Sequence, residues 1–349
     1  MNQKNLTIKD IAKAAGVSKT TVSRYLNSRH DLISPETVHR IQSIIELTGY
    51  RPNETARNLK SRRSMMIGVT IADIFSPFST ALTVGISNAL EKTGYQPIFV
   101  NCNESPENER ELIASLTARG VDGLLVNTVS YDNPYLIQLA CKGMPIVLCD
   151  RFVKDYNFDI VTNSLSDLFP QVLTHIKEQG FQPPVLFTQA YQNNSTRLNR
   201  IHSFCSVLSK FYHVENPENY VVQIDINNGA DTQKKLLELR NRYPMNETPC
   251  VIGANTVTTM NLLTQIKALN LQIPDNLGVC GPDDWSWKKY IDIYQIINPG
   301  ISSMVVHAAE LGEQAATLLL NRIQNPDAPK QVITIPSEFI IRNSTILKH

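Results

Sequence analysis

Hydrophobic and polar positions follow two different rhythms along this chain. From Met65 onward, runs of four to six apolar residues alternate with stretches of helical period. MMIGVTIA leads into PFSTALTVGISNALEKTGY, QPIFVNC into PENERELIASLTARG, and VDGLLVNTV into a helical stretch reaching Gly143, after which comes PIVLCDR. A second series runs through DIVTN, SLSDLFPQVLTHIKEQG, PPVLFTQ, RIHSFCSVLSKF, YVVQIDI, TQKKLLELRNRY, CVIGAN, TVTTMNLLTQIKALN and LGVCGP. Short apolar runs of this kind fit strands buried on both faces, and their alternation with helices predicts an α/β core of parallel sheets. Two successive series predict two similar lobes. Open parallel sheets bind ligands beyond the carboxyl ends of their strands, so a ligand cleft between the lobes is expected.

The first 50 residues read as helices only. Thr7 to Asp10 forms a cap before a short helix, Gly16 sits in the tight turn after it, and Ser18 caps a second helix carrying Lys19, Thr20, Thr21, Ser23 and Arg24. A third helix is predicted from about Ser34 to Thr48, with Pro35 at its first position and Gly49 at its end. Two short helices joined by a glycine turn form a helix-turn-helix, whose second helix enters the DNA major groove. The first turn of that helix is polar and free of acids, as reading base edges requires. Residues 51–64, RPNETARNLKSRRS, read as a linker. Ala56 and Leu59 fall three apart with Asn53 as a cap, so a short helix is expected there when a surface such as a minor groove buries it. The expected domains are a head at 1–50, a hinge at 51–64 and a two-lobed core at 65–349.

Charge sharpens this division. The whole chain carries a net +1, yet residues 1–64 hold 12 basic and 5 acidic side chains while the rest hold 21 and 27. A basic head attracts phosphate and releases counterions, and an acidic body stays off the duplex. At 349 residues and 42% hydrophobic content the chain reads as a globular protein of two or three domains. No apolar run reaches membrane-spanning length and the N-terminus lacks a leader-like apolar segment, which predicts a cytoplasmic protein without a membrane partner. The six cysteines (102, 141, 149, 205, 250, 280) show no metal-ligand spacing and are expected to be buried free thiols.

Catalytic signatures are missing. There is no phosphate loop, no Gly-x-Ser-x-Gly elbow and no His-Glu-x-x-His, and the seven histidines are scattered. An enzyme is not expected, nor is a cofactor or a metal. Polar and aromatic residues do cluster after the strands: Asp73 to Phe78, Asp150-Arg151, Asn255, and Asp283 to Trp287, with Arg200 at the start of a second-lobe helix. Aromatics stack on sugar faces, Asp and Asn share hydroxyl hydrogens, and Arg forks onto a carboxylate or phosphate. The set points to a small polar ligand.

These motifs carry a family resemblance. TIKDIAKAAGVSKTTVSRYLN, YRPNETARNLKSRRSMMIGV and PDNLGVCGPDDW make residues 6–345 resemble a LacI-family transcription regulator. ADIFSPFS and SPENERE add a narrower likeness to repressors of 2-keto-3-deoxygluconate genes of pectin and hexuronate breakdown. The resemblance implies a periplasmic-binding-protein-like core and a homodimer on palindromic operator DNA. It implies that Lys19 and Thr20 read base edges with Arg24. Thr7, Ser18, Thr21, Ser23, Asn27, Ser34 and Thr37 would contact the DNA backbone. Leu59 would wedge into the central minor-groove step, followed by Lys60, with Asn53 and Ala56 on the same hinge helix. Effector contacts map onto Phe75, Ser76, Phe78, Asp150, Arg200, Asn255, Asp283 and Trp285. The family's Ala-Asn-Asp is Ala254-Asn255-Thr256 here. Loss of an acid near Arg200 suits an anionic sugar acid. The expected effect is release of the operator. A corepressor that tightens DNA binding, another sugar as effector, and a sugar-binding protein without DNA function are the alternatives.

Overall fold

The N-terminal helices begin where side chains can satisfy their first backbone N–H groups. The Asp10 carboxylate accepts hydrogen bonds from the Thr7 backbone N–H at 2.8 Å and the Thr7 hydroxyl at 2.7 Å, at the start of α1 (Ile8–Ala14). Gly16 turns the chain at φ 62°. Ser18 Oγ accepts from the Thr21 N–H at 3.1 Å and opens α2 (Lys19–Leu26). Ser34 caps α3 (Pro35–Thr48), which stops at left-handed Gly49. Ile11, Ala15, Val22, Ile41 and Tyr50 form the small core between the three helices.

The computed structural model describes residues 6–26, 29–50, 63–283, 285 and 291–347. It divides into two compact units, Met1–Ser64 and Met65–His349. In the larger unit the expected alternation is present. The first lobe contains β1 (Met66–Ile71), α4 (Pro77–Leu90), β2 (Gln96–Asn101), α5 (Pro106–Ala118), β3 (Gly123–Val126), α6 (Pro134–Cys141), β4 (Ile146–Cys149) and β5 (Asp159–Asn163). The second contains α7 (Phe169–Glu178), β6 (Val185–Thr188), α8 (Ser195–Tyr212), β7 (Val221–Gln223), α9 (Gly229–Arg240), β8 (Cys250–Gly253), α10 (Thr256–Ala268), β9 (Gly278–Asp283), α11 (Ile293–Ile296) and β10 (Ser302–Val305).

The lobes are not two closed successive series. After β10 the chain returns to the first lobe as α12 (Ala308–Gln324) and β11 (Val332–Ile335), then re-enters the second as β12 (Glu338–Ile340). Strand order is β11-β5-β4-β3-β1-β2 in one sheet and β12-β10-β9-β8-β6-β7 in the other. Every pairing is parallel except β10 with β12. The return has a packing reason. The apolar stripe of α12, with Leu311, Ala315, Leu318 and Leu319 buried, covers the first sheet, and β11 pairs the open edge of β5. Three chain segments therefore pass between the lobes. Two are joined by hydrogen bonds, Ser337 N–H to Ser164 Oγ at 2.9 Å and Ser164 N–H to Ile335 O at 3.1 Å.

A buried ion pair fastens the returning segment. Asp159 takes bonds from Arg322 Nε at 2.8 Å and Nη2 at 3.1 Å, and from the Gln331 N–H at 2.9 Å. Arg322 also donates to the carbonyls of Pro326 and Pro329, so both charges are enclosed with their donors and acceptors used. One expectation needs correction: Cys141 is exposed on α6, while the other five cysteines are buried free thiols. Among the described residues no helix is long and apolar enough to cross a membrane.

Helices α4 and α12 meet at glycines. A Cβ on Gly85 would overlap the Ala309 carbonyl, and one on Gly312 the Leu82 carbonyl. Gly85→Ala is therefore expected to lower unfolding free energy by about 1–3 kcal/mol, the usual cost of overpacking. A urea-unfolding series checks this; an unchanged midpoint would show that the helices separate freely.

Candidate functional site

The three-helix head presents one polar surface. Val22 turns into the core, and Lys19, Thr20 and Arg24 are exposed on α2. Ser18, exposed, and Thr21 and Ser23, half-buried, complete the residues expected on this helix. Thr7 and Ser34 are exposed at the starts of α1 and α3, and Thr37 accepts a hydrogen bond from Ser34 Oγ at 2.9 Å. The exposed Lys and Arg with short hydroxyl donors, and no acid on α2, suit base edges and phosphates. Asn27, Asn53, Ala56, Leu59 and Lys60 lie outside the described residues.

In the core, the carboxyl ends of the strands from both lobes border one cleft. An inner recess of about 70 Å³ is lined by Ser76, Phe78, Asp150, Arg200 and Asn255 from the expected set. It adjoins an outer chamber of about 970 Å³, and Asp73, Glu104, Gln189, Asn194 and Arg197 line both. Asp150 directly follows β4 in a left-handed conformation, φ 69°. Its carboxylate accepts from Asn163 Nδ2 at 2.5 Å and, across the lobes, from Thr196 Oγ1 at 3.2 Å. Further bonds join the lobes beside it: Phe152 N–H to Ser195 Oγ at 2.8 Å, and Tyr131 N–H to Asn193 O at 3.0 Å.

Three guanidinium groups converge here. Arg200, 6% exposed, donates Nη1 to Ala254 O at 2.6 Å. Arg197, one turn earlier on α8, donates to Ala190 O at 2.8 Å and to Gln189 Oε1 at 3.0 Å. Gln189 Oε1 also accepts from Asn255 Nδ2 at 2.8 Å. Arg151 pairs with Glu104 at 2.7 Å and donates to Thr128 O at 3.1 Å. Burial, together with the neighbouring Arg151 and Arg200, lowers Arg197 to about 10 against the pull of Glu104. It stays charged, in a setting that an added anion would relieve.

Arg151 rests on a polar knot beside the cleft, in the loop that follows β3. Glu109 is 1% exposed and accepts from the Val129 N–H at 2.8 Å, Asn133 Nδ2 at 2.8 Å and Thr128 Oγ1 at 3.2 Å. Burial pushes its carboxyl up to about 7, although these hydrogen bonds pull the other way. The knot fixes the loop whose Thr128 carbonyl receives Arg151.

Three expected contacts stand apart from these two volumes. Phe75 is 87% exposed and borders neither volume. Asp283 is buried at the end of β9, where its carbonyl accepts from the Val306 N–H at 2.9 Å. Trp285 is half-buried, and neither residue borders the recess or the chamber. Conversely, Glu104, Asn127, Gln189, Asn194, Thr196 and Arg197 line the recess without having been singled out. The signal available for Arg197 was its position three residues before Arg200, which puts both on one helix face.

Two family descriptions match the chain. "Periplasmic binding proteins and sugar binding domain of LacI family" covers residues 64–343, and "Bacterial regulatory proteins, lacI family" covers 7–53. The chain belongs to the LacI family. LacI-family relatives include the HTH-type transcriptional regulator KdgR of Bacillus subtilis, 32% identical over 97% of each chain. The regulator PtxS of Pseudomonas aeruginosa is 30% identical over 97% of this chain and 96% of its own. In fold, the chain is similar to the lac repressor dimer bound to operator and the anti-inducer ONPF, with TM-score 0.82, 20% identity, and 99% and 100% coverage. A LacI-family member of this composition is a ligand-responsive transcriptional regulator and not an enzyme.

The raised Glu109 carboxyl predicts a pH dependence. The folded chain keeps a proton there to about 7, while an unfolded glutamate loses it near 4.5. Stability from this group is therefore present at low pH and falls as pH rises through that window. Relative to Glu109→Gln, the native chain is expected to lose roughly 2–3 kcal/mol between pH 4.5 and 7. Parallel urea titrations across that range check the slope; parallel curves would mean that folding leaves the proton affinity of Glu109 unchanged.

Proposed function

We propose that this chain is a repressor that binds a palindromic operator as a homodimer and is released by a small sugar acid in the interlobe cleft, 2-keto-3-deoxygluconate or a related hexuronate. The observation that carries the ligand class is the convergence of Arg151, Arg197 and Arg200 on one polar recess. A guanidinium forks onto a carboxylate with two parallel hydrogen bonds, a geometry that a neutral sugar cannot complete. Asp150, Asn255, Gln189 and Ser76 offer acceptors and donors for hydroxyls at the other side of the recess. The relatives named for transcriptional regulation support the DNA half of the reading, as does the lac repressor structure for a dimer on operator DNA.

In the head, Lys19, Thr20 and Arg24 read bases, and Thr7, Ser18, Thr21, Ser23, Asn27, Ser34 and Thr37 hold the backbone. Asn53, Ala56, Leu59 and Lys60 belong to a hinge helix that forms on the operator. In the cleft the effector contacts are Ser76, Phe78, Asp150, Arg200 and Asn255, with Phe75, Asp283 and Trp285 reached on a change of lobe angle. A ligand moves this equilibrium only through its different affinity for the two lobe arrangements, roughly 1–3 kcal/mol in typical coupled systems.

Binding of the full chain to palindromic operator DNA, with and without 2-keto-3-deoxygluconate, tests the proposal. Release by the acid is expected. Tighter binding would make the ligand a corepressor, and no DNA binding at all would leave a sugar-binding protein. Arg200→Ala is expected to lose the response while keeping operator affinity, and Lys19→Ala the reverse. Loss of both properties in either variant would count against the division of labour.

A further inference from the structure

We infer that Glu104 is a built-in competitor for the anion seat, so that an acidic effector binds by taking its place at Arg197. The inference rests on reading the cleft as a sugar-acid site and adds what holds that site's affinity for an acid in check. Glu104 follows β2 in the first lobe, whereas Arg197 opens α8 in the second. Its Oε1 lies 2.7 Å from Arg151 Nη2 and 4.0 Å from Arg197 Nη2, so one oxygen links the lobes. Burial opposes the charged form of Glu104, but the Arg151 guanidinium outweighs it and holds the carboxyl below its ordinary value.

The fold places this carboxylate deliberately. Asn103 and Glu104 both stand at φ 52°. Asparagine tolerates the left-handed region, but glutamate enters it only where its surroundings over-determine it. Here the Glu104 N–H is bonded to Ala72 O at 2.7 Å, and Asn101 Nδ2 to Asn103 Oδ1 at 2.6 Å.

The two contacts of Glu104 differ in kind. That to Arg151 is a hydrogen-bonded ion pair within one lobe. That to Arg197 exceeds hydrogen-bond length and acts through charge alone. An arriving carboxylate at hydrogen-bond distance from Arg197 wins that contest. Glu104 keeps Arg151, and with 36% of its side chain exposed it can turn its free oxygen to water, so no charge is stranded. A neutral sugar forms no ion pair with Arg197 and leaves Glu104 where it stands. Glu104 thus lowers the affinity of the seat for anions alone, and its removal should favour them.

The full chain and Glu104→Gln are compared in two ways. Calorimetry with 2-keto-3-deoxygluconate is expected to show roughly tenfold tighter binding to the variant, a modest coupling for close charges, with glucose unaffected. Thermal melts in sodium sulfate against sodium chloride at equal ionic strength should show a sulfate-dependent rise in the variant beyond any in the native chain. Adding Arg197→Ala should abolish that rise. A sulfate gain with no acid binding to either protein keeps the competitor and discards the sugar-acid effector. Acid binding to both that is unchanged or weakened in Glu104→Gln, without a sulfate gain, overturns the competitor and leaves the effector reading intact. If Glu104→Gln folds poorly, Glu104→Asp retains the charge but draws it back by one methylene. It should then tighten acid binding partway; weaker binding there would also overturn the inference.

Discussion

Parallel strand pairing is the constraint from which the core follows. When strands share one direction, the loops after them collect at one edge of the sheet, and so do the residues those loops carry. Ser76, Glu104, Asn127 and Arg151 come from four loops of the first lobe. Gln189, Asn194 and Asn255 come from two loops of the second. They meet only because each sheet delivers its βα connections to the same cleft. Helix starts at this edge also supply caps: Asn194 Oδ1 accepts from the Arg197 N–H at 3.0 Å, and Asn255 Oδ1 from the Thr258 N–H at 2.8 Å. One residue can therefore begin a helix and border the ligand space.

This double duty limits what the sequence discloses. Periodicity exposes the strands and helices because burial on one or both faces repeats along the chain. The caps of α1, α2 and α3 are equally visible, since capping chemistry is local. The lobe to which α12 and β11 belong is not visible, because their apolar pattern would suit either sheet; edge pairing with β5 and the glycine contact with α4 decide it. Arg197, Gln189 and Glu104 were obscure for a related reason. A polar residue near a helix start or in a loop usually faces water, and only the approach of the opposite lobe gives it a ligand to meet. Phe75 shows the converse, an aromatic in the right segment that stays exposed and borders neither volume.

Charge is distributed with the same economy. Asp159 and Arg322 are sealed with enough hydrogen bonds to fix the returning segment, and neither faces the cleft. The cleft instead combines bonds within each lobe with a few across the lobes, some short, as from the Phe152 N–H to Ser195 at 2.8 Å, and some long, as between Arg197 and Glu104 at 4.0 Å. Asp150 is anchored by Asn163 on its own side and touched by Thr196 from the other. Such unequal pairs let the lobes shift without rebuilding either interior, which is what a ligand with small differential affinity requires.

The three passages between the lobes also set an order of assembly. During synthesis β5 emerges long before β11, its neighbour at Val332–Ile335. Until then the first sheet carries an unpaired edge, and α12 has yet to cover its face. The second sheet waits similarly for β12. Neither lobe can be completed from an N-terminal fragment that stops short of these strands, so the two finish nearly together, once residues 332–340 have emerged. A ribosome-bound intermediate would expose apolar sheet and open strand edge, the kind of surface that chaperones shield.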